Sequence, residues 1–371
     1  MRARAKKAIK PGLILLLAAA VGYWVPALAT SGSHAAPKAP ASAARAAAPK
    51  GAVTPTRVRV TQKAAAAVTI NLCAKAGTKT MPDGTTVNIW GFVQTPDFTA
   101  TPCSGLTANL PGPQLTVDAG DVVTVNLENH LSEPVSIIFP GQPAGPPDLV
   151  GAPASGSATY TFTATVGTYL YEAGTNVTRQ VPMGLYGALV VNSGIAGQAY
   201  TSSTTAYDVQ ATLVLSEIDP AFNCRPTDVG CDPNTFKLYN YKPMYWLING
   251  KGYNVDGNPS TDPIAVPGPA VGKRVLLRYL NAGLEQHTMT MLGMHQRVIA
   301  KDAFPVTYPF DVDAETIPTG SRLDTIATIP AGTPAAAEFP VYNRQLHLTN
   351  GDITNPGHQV PGGMMTFITV P

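Results

Sequence analysis

Imidazole and thioether side chains crowd one short stretch of the sequence. In HTMTMLGMH, residues 287 to 295, lie His287, Met289, Met291, Met294 and His295, and both donor types suit copper. Along an extended chain alternate side chains point the same way, so His287, Met289 and Met291 share one face. The same alternation describes a core-facing strand, with Met289 and Met291 as packing and His287 held by a hydrogen bond. That reading is adopted, with ligation as the alternative. His347, followed by Met364 and Met365, is weighed the same way. His287, Met289, His295 and His347 are therefore the weak metal-ligand candidates. Three of the six histidines lie apart from these: His34, His358, and His130, which follows Asn129 at a strand end and reads as surface.

A second stretch, VGTYLYEAGTNVTRQVPMGLYGALVV at 166 to 191, carries Glu172 and Arg179. A lone buried carboxylate is costly unless paired, so Arg179, just beyond a turn, is the expected partner of Glu172. No motif places a second carboxylate beside it, and Gly167, Gly184, Gly187 and Gly293 read as turn or close-packing residues with no phosphate-binding pattern around them. Cys73, Cys103, Cys224 and Cys231 are the only cysteines. In an exported chain an even count predicts two disulfides, with three pairings open. Cys73–Cys103 and Cys224–Cys231 are favoured because each pair lies within one local segment. There is no C-x-x-C, hence no redox dithiol or covalent haem signature.

The elements that must position these residues are strands. VTINL, TTVNIWGF, QLTVDAGDVVTVNLEN, SATYTFTA, GALVV, ATLVLSEI, KRVLLRYLN, RLDTIATI and MMTFITV alternate apolar and polar residues or run apolar, and turn residues separate them. No long amphipathic helix pattern appears. With 34 Gly and 35 Pro this reads as an all-β sandwich or barrel. A small, polar segment at 194–203 divides it. GDVVTVNLEN and GKRVLLRYLNAG, then GLYGALVV and GGMMTFITV, echo one another across that division as a weak repeat. The predicted organisation is a domain at 67–194 and a similar one at 203–371.

Ahead of these, Arg2, Arg4, Lys6, Lys7 and Lys10 precede PGLILLLAAAVGYWVPALA, which predicts a secretory signal over 1–29 cut after Ala29; a retained anchor is the alternative. Residues 30–66, rich in Ala and Pro, read as a disordered tether. Of the 25 Lys and Arg, 11 lie in residues 1–66, which hold no Asp or Glu, so 14 face 23 acidic residues over 67–371, a formal charge of −9. An acidic body argues against nucleic acid as a partner.

NLPGPQLTVDAGDVVTVNLENHLSEPVSIIFPG resembles the first-domain signature of multicopper oxidases, and GTYLYEAG…QVPMGLYGALVV resembles the close of that domain. YWLINGKGYN, VLLRYLNAGLEQHTMTMLGMHQRVIAKD and GGMMTFITV resemble parts of a later cupredoxin domain. The resemblance implies two cupredoxin-like Greek-key β-barrel or sandwich domains. It also implies ligands that the sequence lacks. The first His-x-His-Gly of active members is here Ile138-Phe139-Pro140-Gly141, and the second His-x-His is Glu172-Ala173-Gly174. Of the later His-x-x-His-x-His only His287 stands, with Thr290 and Leu292 at the other two positions. The closing His-Cys-His belongs near FPVYNRQLHLTN, and no cysteine follows Cys231. A blue copper site needs a thiolate and two imidazoles. The sequence thus describes an exported protein, secreted or in the periplasm or cell envelope, that keeps the scaffold without the copper centres. It is expected to bind an envelope or extracellular protein or polymer, with no transmembrane helix after signal cleavage. A copper-dependent oxidoreductase with unrecognised ligands, and a periplasmic or extracellular copper-binding protein using the His/Met cluster, are the alternatives.

Overall fold

A computed structural model describes residues 64–255, 260–351, 357 and 360–371. The signal, almost all of the tether, and His358 lie outside the described residues, which all belong to one compact unit. The described chain is mostly β-strand, with few helical residues.

The N-terminal half runs β1 (Ala67–Thr80), β2 (Thr86–Thr95), β3 (Leu115–Asp118), β4 (Val122–Asn129), β5 (Ile137–Ile138), β6 (Ser157–Thr163), β7 (Gly167–Ala173), α1 (Val177–Met183) and β8 (Tyr186–Asn192). Its strands form two four-stranded sheets, β2-β1-β4-β6 and β3-β8-β7-β5. The alternation in VVTVNLEN is realised in β4, where Val123, Val125 and Leu127 point into the core and their neighbours stay partly exposed. The inner faces close on Leu72, Phe92, Leu115, Phe139, Phe162, Tyr171 and Leu189.

The C-terminal half runs β9 (Val209–Ile218), α2 (Pro220–Asn223), β10 (Tyr245–Ile248), β11 (Lys251–Asn254), β12 (Ile264–Ala265), β13 (Arg274–Asn281), β14 (His287–Met291), β15 (Gln296–Lys301), β16 (Phe304–Val312), β17 (Ala314–Ile317), β18 (Arg322–Thr328), β19 (Glu338–Asn343), β20 (Gly362–Gly363) and β21 (Met365–Thr369). Its sheets are β16-β15-β18-β13-β9-β10-β11-β20 and β12-β21-β19-β14-β17. The weak sequence repeat has a topological counterpart. β1 pairs parallel with β4 as β9 does with β13, and β3 pairs parallel with β8 as β12 does with β21.

A further apolar cluster joins the halves: Met81, Val87, Ile89, Leu110, Leu170 and Tyr186 pack with Val214, Ile218, Tyr245, Leu247 and Leu280. Near it, Asp324 on β18 accepts from Thr168 Oγ1 on β7 at 2.8 Å and from Tyr200 Oη at 2.6 Å. Both cystine bridges form as expected, Cys73–Cys103 and Cys224–Cys231. Among the described residues no helix is long and apolar enough to cross a membrane.

Candidate functional site

In the N-terminal half the register of two strands brings distant positions together. β5 and β7 pair antiparallel with Ile138 opposite Glu172, and Gly174 follows directly. A Cβ at Gly174 would stand 2.6 Å from Ile138 Cγ2 and 2.7 Å from Ser136 Oγ, so this corner is packed shut by small and aliphatic groups. Pro140 lines a cavity of about 280 Å3 together with Ile138, Phe139, Pro147 and Tyr160. Glu172 lines another, of about 270 Å3, whose walls include Val177, Val181, Ala282 and Leu284. Burial raises the Glu172 pKa, and the Arg322 guanidinium opposes that shift.

The expected Glu172–Arg179 pair does not form. Arg179 pairs instead with Glu133 and lies over the Trp90 ring, 5.5 Å from its centroid. The reason is local: Arg179 sits on α1, after the turn that follows β7. The next residue on that helix, Gln180, donates to Glu133 Oε1 at 2.6 Å, so the helix turns toward Glu133. His130 is a surface residue 3.3 Å from Glu128. With Cys103, these two make the one group of potential His, Cys or acidic ligands within mutual reach among the described residues. The Cys103 sulfur is already committed to its disulfide.

In the C-terminal half the centre of interest is β14. His287 is fully buried between two partners. Its Nε2 lies 3.1 Å from Glu217 Oε2 and its Nδ1 lies 2.8 Å from Asn343 Nδ2. Asn343 Oδ1 accepts the Gln345 backbone N–H at 3.0 Å, which turns the amide nitrogen toward the ring. His287 therefore accepts at Nδ1 and donates its Nε2–H to Glu217. The other oxygen of Glu217 accepts the backbone N–H groups of Leu284 and Glu285. A Cβ on residue 283 would overlap this carboxylate, so Gly283 is what lets it reach the loop.

Two further groups lie near the His287–Asn343 pair. Met364 Sδ lies 3.9 Å from Asn343 Nδ2. The His347 ring stacks on Trp246 at 3.3 Å between centroids and 6° between planes, and its centroid is 6.4 Å from that of His287. His347 Nε2 is buried without a hydrogen-bond partner. Burial, and secondly the neighbouring His287, push the His347 pKa down to about 4.

β14 and β19 align Met289 with Asn343 and Thr290 with Tyr342. Thr290, Leu292, Tyr342 and Arg344 line a separate, open cavity of about 550 Å3 on the other face, where Arg344 Nη1 donates to Tyr342 Oη at 3.3 Å. The sequence cluster is thus divided. Met289 and Met291 fill the core, 0% and 4% exposed. His295 is out at the surface, bonded to Asp313 at 2.7 Å, and does not join His287. The bend at 292–294 ends β14 and carries the chain to β15 in the other sheet, which separates two histidines only eight positions apart.

Comparison with known proteins bears directly on this geometry. Residues 90–195 match the family model described as "Multicopper oxidase". Laccase-3 of Oryza sativa subsp. japonica is 27% identical over 235 residues, 59% of this chain and 39% of that protein. Laccase-2 of Botryotinia fuckeliana is 27% identical over 266 residues, 66% of this chain and 43% of its own. Among solved structures, a blue copper oxidase from Nitrosomonas europaea superposes with a TM-score of 0.64 at 22% identity, over 82% of this chain and 86% of that one. A copper nitrite reductase from the same organism gives 0.61 at 17%, over 82% and 94%. The family-model match and the laccase relatives support a place in the multicopper oxidase superfamily. It spans about two fifths of the length of these two curated relatives, and the structural likenesses carry the cupredoxin-like fold alone.

The superfamily's ligand pattern can now be set on this cupredoxin-like fold. Strand alternation puts Asn343 on the His287 side and Tyr342 and Arg344 on the other, and these three lie within the stretch near which the resemblance implies the closing His-Cys-His. A blue copper set is two imidazoles, a thiolate and a weak axial thioether. His287, His347 and Met364 match three of its four members, and Glu217 holds His287 as a carboxylate holds a metal-bound histidine. The fourth member is an amide. Asn343 offers no thiolate, and its N–H occupies the His287 lone pair that a metal would need. On the opposite face Thr290, Leu292, Tyr342 and Arg344 supply no imidazole, and a guanidinium there repels cations. The residues present do not fit either copper centre. Asn343, Glu217 and Trp246 escaped sequence reasoning. Asn343 carried a faint signal, lying within FPVYNRQLHLTN, near which the resemblance implies the closing motif. Glu217, 70 positions away, carried none.

Proposed function

We propose that this is an exported protein of the multicopper oxidase superfamily that works without the copper centres, as a binding or scaffolding module at the cell envelope whose partner is a protein or polymer there. One observation carries this reading. The ligand positions hold residues with other work: Asn343 caps His287, Arg344 bonds Tyr342, and Ile138 packs where a side chain at 174 would go. The basic, acid-free start of the sequence supports export and contact with an anionic surface. A copper-dependent oxidoreductase is the second reading, supported by the laccase relatives.

Metal content and oxygen uptake separate the two. Purified protein incubated with copper and desalted is expected to show no intense band near about 600 nm, the mark of a thiolate–copper centre, and no copper-dependent oxygen uptake. A strong band with several coppers retained per chain, or oxygen uptake that copper restores, would overturn the copper-free reading.

A further inference from the structure

We infer that one side chain, the Asn343 amide, is what keeps the buried cluster of Glu217, His287, His347 and Met364 from fitting a copper ion. This deepens the copper-free reading above and rests on it. The loss of the centre is then not a general decay of the site but the work of one residue.

Three independent features point this way. First, His287 is held as a ligand is held. Glu217 fixes Nε2–H, and two backbone N–H groups fix Glu217 in turn, so the Nδ1 lone pair is aimed at one spot with its tautomer set. Secondly, His347 is locked in place by its stack on Trp246 and brings a buried nitrogen with no hydrogen-bond partner. An imidazole nitrogen buried without a partner is costly as structure, and a metal ion is one of the few things that would satisfy it. Thirdly, Met364 Sδ completes the set beside Asn343. All of these groups belong to the C-terminal half, where β9, β10, β14, β19 and the loop before β21 meet.

Asn343 closes the pocket in two ways. Its Nδ2 sits 2.8 Å from His287 Nδ1, in the space a metal ion would take. Its Oδ1 takes the Gln345 backbone N–H, which prevents the amide from rotating away. Cysteine is smaller than asparagine, so Asn343→Cys adds no bulk, and the Gln345 N–H is left facing the sulfur. In that variant the new thiolate, its proton lost to solvent, would join His287, His347 and Met364 as the side chains to hold a Cu(II) ion, with no change in oxidation state.

The test compares full-length wild type, Asn343→Cys and Asn343→Ala, each checked for native near-UV circular dichroism and melting. After Cu(II) loading and desalting, wild type is expected to keep under ~0.1 copper per chain at this site and to stay colourless. Asn343→Cys is expected to keep about one copper and to show a charge-transfer band near about 600 nm, lost on adding His287→Gln. Asn343→Ala removes the amide without supplying a thiolate. Loaded instead with Cu(I), kept reduced by ascorbate without oxygen, it is expected to retain at least about tenfold more colourless copper than wild type treated the same way. A folded Asn343→Cys protein that stays colourless overturns the inference and leaves the copper-free reading standing. So does a folded Asn343→Ala protein that retains no more Cu(I) than wild type, whether or not the cysteine variant folds. A wild-type protein that itself binds copper through His287 sinks both.

Discussion

Reversing one hydrogen bond in the Glu217–His287–Asn343 chain forces a conflict that the site has no room to resolve. Glu217→Gln keeps size and shape. Its oxygen stays under the Leu284 and Glu285 N–H groups, which leaves its NH2 facing His287 Nε2 at 3.1 Å. If the imidazole keeps its tautomer, donor meets donor there. If it switches, Nδ1–H meets the Asn343 amide N–H at 2.8 Å. Turning Asn343 over moves the clash to the Gln345 N–H at 3.0 Å. Both side chains of the His287–Glu217 pair are 0% exposed, so water cannot repair the mismatch. An unsatisfied buried group costs about 1 to 3 kcal/mol, partly offset by removing a buried charge, so a net loss of about 2 kcal/mol is expected. Asn343→Asp should then rescue Glu217→Gln, because the switched imidazole donates Nδ1–H to the new carboxylate and the cluster again holds one negative charge. Urea melts of the four proteins should give a favourable coupling of at least about 1 kcal/mol, and nitrogen NMR should show the proton moved from Nε2 to Nδ1. Glu217→Gln melting within about 0.5 kcal/mol of wild type, or additive losses, would refute the assigned hydrogen-bond polarity.

Glu172→Gln should stabilise the protein by about 1 kcal/mol at neutral pH, since burial makes the ionised carboxylate costly. Burial raises the folded-state pKa of Glu172, so wild type loses stability as pH rises through the carboxylate range. The advantage of Gln should be full above that range and vanish in acid, where Glu172 is protonated in both states; a pH-independent difference in urea melts would show another cause. Arg179→Ala should cost about 1 to 3 kcal/mol, through loss of the half-buried Glu133 bond and the Trp90 contact. Double-mutant cycles should find coupling of Arg179 with Glu133 and none with Glu172, and coupling to Glu172 would restore the pairing expected from sequence.

Local order in the chain was enough to reveal strands, bridges and superfamily. Alternation such as VVTVNLEN shows which face of β4 is buried, because a strand repeats every two residues whatever lies across from it. The disulfides paired within local segments, whereas positions 138, 140, 172, 174, 290 and 292 are expected as vacated ligand positions from motif order alone. Periodicity did not reveal β16, whose FPVTYPFDV holds two prolines; it is tolerated there because β16 is an edge strand of its sheet.

What the tertiary structure decided is which side chains meet. Arg179 found Glu133 across the barrel, not Glu172 on its own stretch, because the helical turn between them sets direction and sequence distance does not. His287 and His295, eight residues apart, ended at 0% and 73% exposure, divided by the bend that carries the chain from one sheet to the other. Glu217, His287 and Asn343 are 70 and 56 positions apart and came into bonding distance only through the register of β14 on β19 and the crossing of β9 beneath them. A hydrogen bond depends on position to a few tenths of an ångström, and that accuracy resides in the packed sheets, not in the spacing of residues along the chain.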